Sequence, residues 1–161
     1  MVHGARALAT RLGRRVVVYG GGNTAMDVAR TARRLGATES VVVYRRTRER
    51  MPAHDFEVEE AEEEGVMMKW LSTIKHADEG KLLLERMELD ESGFPQPTGE
   101  FEELHADSLV LALGQETDLS LLDRVPRLEV EDGVVKVGPD LMTGRPGVFA
   151  GGDMVPAERT V

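Results

Sequence analysis

The spacing of apolar and polar positions predicts a strand, a helix and a second strand in the first third of the chain. The valines of residues 16–18 form a β-branched run that ends at three consecutive glycines. Apolar residues then recur at the spacing of an amphipathic helix: Ala25, Val28, Ala29, Ala32 and Leu35. Gly36 suits the left-handed position that ends a helix, and residues 40–44 form another apolar run. We therefore expect a parallel βαβ unit over about residues 14–44, after a short helical lead-in over residues 1–13.

The middle of the chain predicts a second helix and a third parallel strand. Residues 55–64 are acidic with a thin apolar side, so one face of this helix should be solvated. Asp55 is the expected N-cap and Gly65 the expected stop. Residues 66–71 follow as the third strand.

The alternation then changes to that of short antiparallel strands. Polar turns separate three strand-like segments, which indicates a β-meander beside the parallel sheet. The segments are residues 72–77, 81–89 and 100–104, with a polar loop at Pro95, Pro97 and Gly99. Residues 108–113 predict a buried strand that ends at Gly114 and Gln115. Beyond it we expect a short apolar turn at 119–122 and strands at 134–137 and 147–150.

Composition narrows the class of protein. The chain has 161 residues, a formal net charge of −9, a pI of about 5.0 and no cysteine. Disulfides and thiolate-bound clusters are therefore excluded within this chain. No apolar run approaches the ~20 residues of a membrane helix, and the N-terminus lacks the apolar core of a signal peptide. We expect a soluble, cytoplasmic protein with no membrane or nucleic-acid partner, in which a local positive site captures any anionic ligand.

The glycines between the first strand and helix form a candidate phosphate site. Gly20 allows a tight turn, and Gly22 lets the backbone approach a pyrophosphate, which would collide with a Cβ. Ala25 is small enough for the helix to pack against its strand. Phosphates would lie at the helix N-terminus, where free N–H groups and the dipole favour negative charge. The expected contacts are Gly20, Gly21, Gly22, Asn23 and Thr24. The alternative is a glycine-rich turn without a ligand.

The end of the second strand indicates which dinucleotide. An NAD site would place an acidic residue there for the ribose 2′-hydroxyl. This strand is followed instead by Arg45 and Arg46, with Arg48 and Arg50 close behind. Guanidinium groups bind a 2′-phosphate with charge-assisted hydrogen bonds, so the pattern favours NADP(H) over NAD(H). The alternative is a solvated basic loop paired with the acidic helix, and both interpretations can hold for different arginines.

A second glycine edge follows residues 147–150. Gly151, Gly152 and Asp153 come directly after this predicted strand, and the carboxylate suits sugar-like hydroxyls. Aspartate is equally common in plain turns, so the residues alone leave both interpretations open. The four histidines are scattered, and no catalytic residue or metal site is predicted.

Together these residues resemble the pyridine-nucleotide domain of the glutamate synthase small-subunit family, which includes the flavin–NADPH half of dihydropyrimidine dehydrogenase. The matching segments are residues 16–27, 29–37, 44–53, 111–115 and 147–153. The resemblance implies an α/β, Rossmann-like three-layer domain, with a parallel sheet and an antiparallel meander, over residues 1–115. Residues 116–161 would be an incomplete C-terminal segment of an FAD domain.

The resemblance also implies roles for single residues. Arg45 would bind the 2′-phosphate of NADPH, followed by Arg46 and Arg50. Asp27 would lie near the nicotinamide, or else add favourable charge to the first helical turn. The other implied contacts are Gly114 and Gln115 near the nicotinamide, and Gly152 and Asp153 on the flavin's ribityl–phosphate chain.

The implied activity is hydride transfer from NADPH to FAD in a longer oxidoreductase, with iron–sulfur centres passing electrons onward. The chain carries one glycine fingerprint and no cysteine-rich segment, so we expect an excised piece that is inactive alone. Its partners would be the remainder of the flavin domain and an electron-accepting subunit, and the sequence does not indicate an oligomeric state. The alternatives are a regulatory domain that senses NAD(P)H and a structural fragment that binds nothing.

Overall fold

The computed structural model describes residues 12–114, 118–122 and 124–156. The chain forms two compact units that divide between Gly114 and Gln115, and each is described by itself. The helical lead-in expected for residues 1–13 lies almost wholly outside the described residues. In the part of the chain that is described, no helix is long and apolar enough to cross a membrane.

A four-stranded parallel sheet forms the centre of the first unit. Its spatial order is β3-β2-β1-β7. The strands are β1 (Arg15–Gly20), β2 (Glu39–Val43), β3 (Val66–Lys69) and β7 (Ser108–Ala112). The predicted βαβ unit and third parallel strand are confirmed. β1 lies between two partner strands, and its three valines are fully buried.

Two helices, α1 (Asn23–Arg34) and α2 (Asp55–Glu63), cover one face of this sheet. Small side chains on α1 allow a close approach to the sheet, and Ala25 and Ala29 are fully buried there with Val16 and Val18. Burying each valine contributes about 1.5–3 kcal/mol relative to leaving it in water. Gly36 follows the helix with a φ of 99°, as the sequence predicts.

An antiparallel sheet covers the other face. It has the order β4-β5-β6, with β4 (Ser72–Asp78), β5 (Lys81–Leu89) and β6 (Pro95–His105). Leu82 and Leu84 of β5 pack against Val17, Val41 and Val43 of the parallel sheet. The three layers are therefore helices, parallel sheet and antiparallel sheet, which confirms the predicted fold class.

Strand β6 is longer than the sequence predicts. The segment expected to be a polar loop, with Pro95, Pro97 and Gly99, belongs to the strand, and Pro95 and Pro97 pair with Leu89 and Met87. Proline is compatible with a strand at a sheet edge, where its missing N–H faces away from the ladder. β6 is such an edge strand.

Two element boundaries and the burial of one strand also differ from the prediction. Asp55 is the first residue of α2 and not its N-cap, which is His54. Strand β3 ends at Lys69 because Leu71 takes a left-handed conformation with a φ of 50°. Strand β7 is only half-buried, with Leu111 64% exposed, since the antiparallel layer covers Leu109 but does not reach Leu111.

Arginines of α1 hold the acidic helix in place. Arg30 pairs with Glu57, Glu60 and Glu64, and Arg34 also pairs with Glu64. The carboxylates on this side of the helix and at its C-cap therefore contact guanidinium groups, whereas Glu59 and Glu63 are exposed, in agreement with the predicted solvated face. The two guanidinium groups lower the pKa of the Glu64 carboxyl to about 2.

The second unit contains little regular structure. Strands β8 (Val130–Glu131) and β9 (Val134–Val135) form a two-stranded ladder. The strand predicted for residues 147–150 is wrong, because Phe149 makes only an isolated bridge to Met142. The chain there folds into tight turns around the buried Thr143, whose hydroxyl donates to the carbonyl of Val148 at 3.1 Å.

We expect Glu64→Gln to destabilise the protein near neutral pH, because it removes a carboxylate shared by two arginines. A carboxyl group whose pKa is lowered on folding contributes stability above its unfolded pKa and loses it on acidification. The difference from wild type should therefore shrink as pH falls from about 4.5 to about 2. Urea unfolding at a series of pH values measures it. Glu63→Gln, an exposed neighbour on the same helix, is the control, and an equal effect of both variants would contradict the prediction.

Candidate functional site

Three neighbouring strands end at the same edge of the parallel sheet. In the registers of β1, Tyr19 aligns with Val43 on β2 and with Leu111 on β7. Adjacent strands lie about 4.7–4.9 Å apart. The glycine turn (residues 20–22), the residues after β2 and the residues after β7 are therefore brought together, with the glycine turn in the middle.

The three glycines of this turn are small for different reasons. A Cβ at Gly20 would lie 2.1 Å from the carbonyl oxygen of Ala112, and one at Gly21 would lie 2.4 Å from the ring of Tyr44. Neither position has room for a side chain. A Cβ at Gly22 would meet nothing within 4 Å, and its φ of −91° suits any residue. Packing within the protein thus explains two of the glycines but leaves Gly22 open to whatever approaches from outside.

The helix that follows begins without a side-chain cap. Gly22 is the N-cap, and its carbonyl accepts from the N–H of Ala25 at 2.9 Å. Among the residues that the structure describes, the N–H groups of Asn23 and Thr24 have no hydrogen-bond acceptor. Free N–H groups and the positive end of the helix dipole make this terminus suited to an anion.

The segment after β2 folds back onto the glycine turn. The N–H of Ala53 donates to the carbonyl of Gly21 at 3.0 Å, and the N–H of His54 donates to Oδ1 of Asn23 at 3.0 Å. The Tyr44 hydroxyl donates to the carbonyl of Arg50 at 2.8 Å. These contacts hold the arginine loop (residues 45–50) beside the helix N-terminus. The Asn23 side chain is thus part of the scaffold, and its contact with a ligand stays a prediction.

The arginines of this loop have different surroundings. Arg48 pairs with Glu62 at 2.9 Å and Glu59 at 3.6 Å, as the paired-loop interpretation predicts. Arg45 is exposed, and no carboxylate of the described residues pairs with it. Arg46 is half-buried with its Cζ 5.8 Å from the centre of the Phe94 ring, and Arg50 lies against Gly93. Pairing with the acidic helix therefore accounts for Arg48 only.

One carboxylate lies within the arginine loop. A hydrogen bond from Thr47 and the backbone amide lower the pKa of Glu49, so this group is ionised near neutral pH. Four arginines against one glutamate leave the loop positive within a chain of net charge −9.

The other predicted site residues lie in different places. Asp27 is exposed in the second turn of α1, so the alternative of a charge in the first helical turn is wrong. Gly114 is exposed beyond β7 with a φ of 95°, and Gln115 lies outside the described residues. Gly152 and Asp153 form part of a short 3-10 turn of the second unit.

Sequence reasoning missed two residues that shape this edge. Tyr44 fills the space over Gly21 and binds the backbone of Arg50, and an aromatic residue directly before paired arginines could have suggested such a role. Phe94 reaches Arg46 from the antiparallel sheet. Nothing in the local sequence around residue 94 signals this contact.

Two hollows of the first unit, of about 310 Å³ each, are lined by residues outside the glycine turn. One is lined by residues after β3 and by the antiparallel sheet, and the other lies around Arg14 and Asp107 at the opposite edge of the parallel sheet. The candidate site is therefore defined by its charges and by the free N–H groups of the helix N-terminus.

Comparison with known proteins shows the family to which the chain belongs. The model of the family described as pyridine nucleotide-disulphide oxidoreductase matches residues 2–161. The beta subunit of an NADP(+)-dependent formate dehydrogenase from Moorella thermoacetica is 47% identical over 92% of the chain, which spans 23% of that protein. A putative glutamate synthase [NADPH] small chain from Cereibacter sphaeroides is 43% identical over 89% of the chain, which spans 38% of it. The resemblance drawn from the motifs is confirmed.

Solved structures show the same fold at lower identity. The thioredoxin reductase of T. acidophilum superposes with a TM-score of 0.72 at 18% identity, covering 88% of this chain and 44% of that one. FprA of Mycobacterium tuberculosis in complex with NADPH has a TM-score of 0.58 at 21% identity, covering 76% of this chain and 43% of that one.

Alanine substitutions should separate the glycines that the fold needs from the one that it does not. We expect Gly20→Ala to lower the free energy of unfolding by about 2–5 kcal/mol, because its Cβ overlaps backbone. Gly22→Ala should change it by less than about 1 kcal/mol. Alanine is a poorer N-cap than glycine, but it also lowers the conformational entropy of the unfolded chain, and the two effects offset each other. Urea denaturation measures both, and a large loss for Gly22→Ala would contradict the prediction.

Proposed function

Because this chain belongs to the pyridine nucleotide-disulphide oxidoreductase family, we propose that it is the NADPH-binding module of a larger FAD-dependent oxidoreductase. When bound, NADPH supplies a hydride that reduces the flavin of that larger protein. This chain's residues bind and orient the nucleotide, and they need not transfer a proton. The Gly22 position supports this fit, because its open space and free N–H groups leave room for a pyrophosphate.

The observation that carries the proposal is the unpaired Arg45 beside an uncapped helix N-terminus. The neighbouring Arg48 forms ion pairs with carboxylates of α2. Arg45 is exposed and has no such ion pair among the described residues. An exposed guanidinium next to free helix N–H groups makes two anion sites on one surface. A dinucleotide with a pyrophosphate and a separate ribose phosphate has the matching charges.

The chemistry of the β2 end favours a 2′-phosphate over a 2′-hydroxyl. An NAD site needs a carboxylate at this position to accept from the ribose, and here Tyr44 is followed by Arg45 and Arg46. Phosphate oxygens accept charge-assisted hydrogen bonds from guanidinium groups, each worth about 1.5–3 kcal/mol. We infer that this chain prefers NADPH to NADH.

We propose an orientation for the nucleotide from the order of the strand ends. Its ribose phosphate would lie at the end of β2, the pyrophosphate at the N-terminus of α1, and the nicotinamide toward β7 and Gly114. In this arrangement no side chain at Gly114 would stand between the backbone and the nicotinamide ring. Asp27 and Gln115 remain proposed neighbours of the nicotinamide.

The second unit would contribute to the flavin site of the larger protein. We propose that Gly152 and Asp153 bind the ribityl–phosphate chain of FAD, as the resemblance implies. The remainder of the flavin domain and an electron-accepting subunit would complete the path of the electrons, in the cytoplasm. One relative is named for an NADP(+)-dependent formate dehydrogenase and another for an NADPH-Fe(3+) oxidoreductase. We therefore propose that modules of this kind exchange electrons with different redox partners in different proteins.

Titration with NADPH and NADH tests the proposed function, and Arg45→Ala identifies the residue responsible. We expect this variant to raise the Kd for NADPH about ten- to hundredfold while leaving NADH almost unchanged, because only NADPH carries the 2′-phosphate. Calorimetry of the 161-residue chain measures both constants.

Arg14→Ala is the matched control, since it removes the same charge from an exposed position at the opposite edge of the sheet. It should leave both nucleotides unaffected. Equal affinity of the wild-type chain for NADPH and NADH would overturn the 2′-phosphate role of Arg45, and absence of binding to either would overturn the proposed function.

A further inference from the structure

The turn between β5 and β6 is held rigidly by one carboxylate. Asp90 accepts hydrogen bonds from the N–H and hydroxyl of Ser92 at 2.9 and 2.6 Å, from the N–H of Phe94 at 2.9 Å and from the Gln96 amide at 2.9 Å. The same bonds hold the pKa of Asp90 far below its usual range. The Asp90 carboxylate is therefore ionised near neutral pH, where its hydrogen bonds close the hairpin tip (residues 90–94).

This hairpin tip lies against two members of the arginine loop. The Phe94 ring centre is 5.8 Å from Cζ of Arg46, within the range of a cation–π contact. Cζ and Nη2 of Arg50 each lie 2.8 Å from the position that a Cβ at Gly93 would take. Neighbouring residues of one turn thus lie against two guanidinium groups of the arginine loop.

The contacts fix these arginines without neutralising them. Phe94 is 52% exposed and belongs to neither hydrophobic core, so core packing does not explain its position. Nε of Arg46 is buried without a hydrogen-bond acceptor, and within the described ranges no carboxylate pairs with Arg46 or Arg50. An aromatic face attracts a cation through its quadrupole while leaving the net charge intact.

We propose that the hairpin tip is a specificity-determining element of the nucleotide site. Phe94 orients Arg46. Because glycine has no side chain, Gly93 leaves space that the Arg50 guanidinium group occupies. Both guanidinium groups are then held ready for the ribose 2′-phosphate before it binds. This inference rests on the proposed function, and it assigns a positioning role to residues more than 40 positions along the chain from the arginines they contact.

The first test compares two substitutions of Phe94. Phe94→Leu keeps an apolar side chain but removes the aromatic face, and Phe94→Tyr keeps the face. By calorimetry on the full chain, Phe94→Leu should raise the Kd for NADPH about two- to fivefold, the range of an exposed cation–π contact, and leave NADH unchanged. Phe94→Tyr should behave like wild type toward both.

The second test compares two glycines in the turns of the same sheet. Gly93 and Gly80 have φ values of +78° and +75°, so alanine brings the same backbone strain to each. A Cβ at Gly80 meets nothing within 4 Å, whereas one at Gly93 displaces the Arg50 guanidinium. Both variants should lose similar stability, but only Gly93→Ala should weaken NADPH relative to NADH.

The outcomes separate this inference from the function on which it rests. Absence of binding to either nucleotide overturns both. Equal binding of NADPH and NADH by the wild-type chain overturns the 2′-phosphate role of the arginine loop and this inference with it. A wild-type preference for NADPH that Phe94→Leu and Gly93→Ala leave unchanged overturns the role of the hairpin tip alone. Weaker binding of both nucleotides to the same extent indicates a merely structural role and likewise overturns it.

Discussion

The close contact of three strand ends is the constraint on which the site depends. Gly20 lies against the backbone of Ala112, the last residue of β7, and Gly21 lies against the ring of Tyr44, which follows β2, so neither accepts even a methyl group. These contacts fix where α1 begins and where the arginine loop starts. Because the layers behind them are closely packed valines and alanines, a shift of one strand end would disturb both neighbours. The free N–H groups and the cations therefore keep one relative position.

The charges are distributed so that the arginine loop stays positive although the chain as a whole is acidic. Several carboxylates of α2 and its C-cap form ion pairs with Arg30, Arg34 and Arg48. These pairs hold the helix in place, and they leave Arg45 and Arg46 without acidic partners among the described residues. At physiological ionic strength charges are screened beyond about 8 Å. The remote acidic surface thus weakens the local attraction for a phosphate only slightly.

Local sequence predicted what depends on local geometry. The valine runs, the glycine turn and Gly36 establish the βαβ unit, and the position of the arginines after a parallel strand places them at the ligand edge. The extent of β6 escaped prediction because a sheet edge tolerates Pro95 and Pro97, which only the strand order reveals. The exposure of Leu111 depends on how far another sheet extends over it. Phe94 meets Arg46 only through the tertiary fold, so no nearby pattern records it.

The central claim is that the glycine turn and the arginine loop form one NADPH site. Backbone amide shifts of the isotopically labelled chain, followed during titration with NADPH and then NADH, test it most directly. NADPH should move the resonances of Gly22, Asn23 and Thr24 together with that of Arg45, and NADH should move the first three while leaving Arg45 nearly in place. Shifts confined to one of the two segments with NADPH, or an identical response to both nucleotides, would contradict the claim.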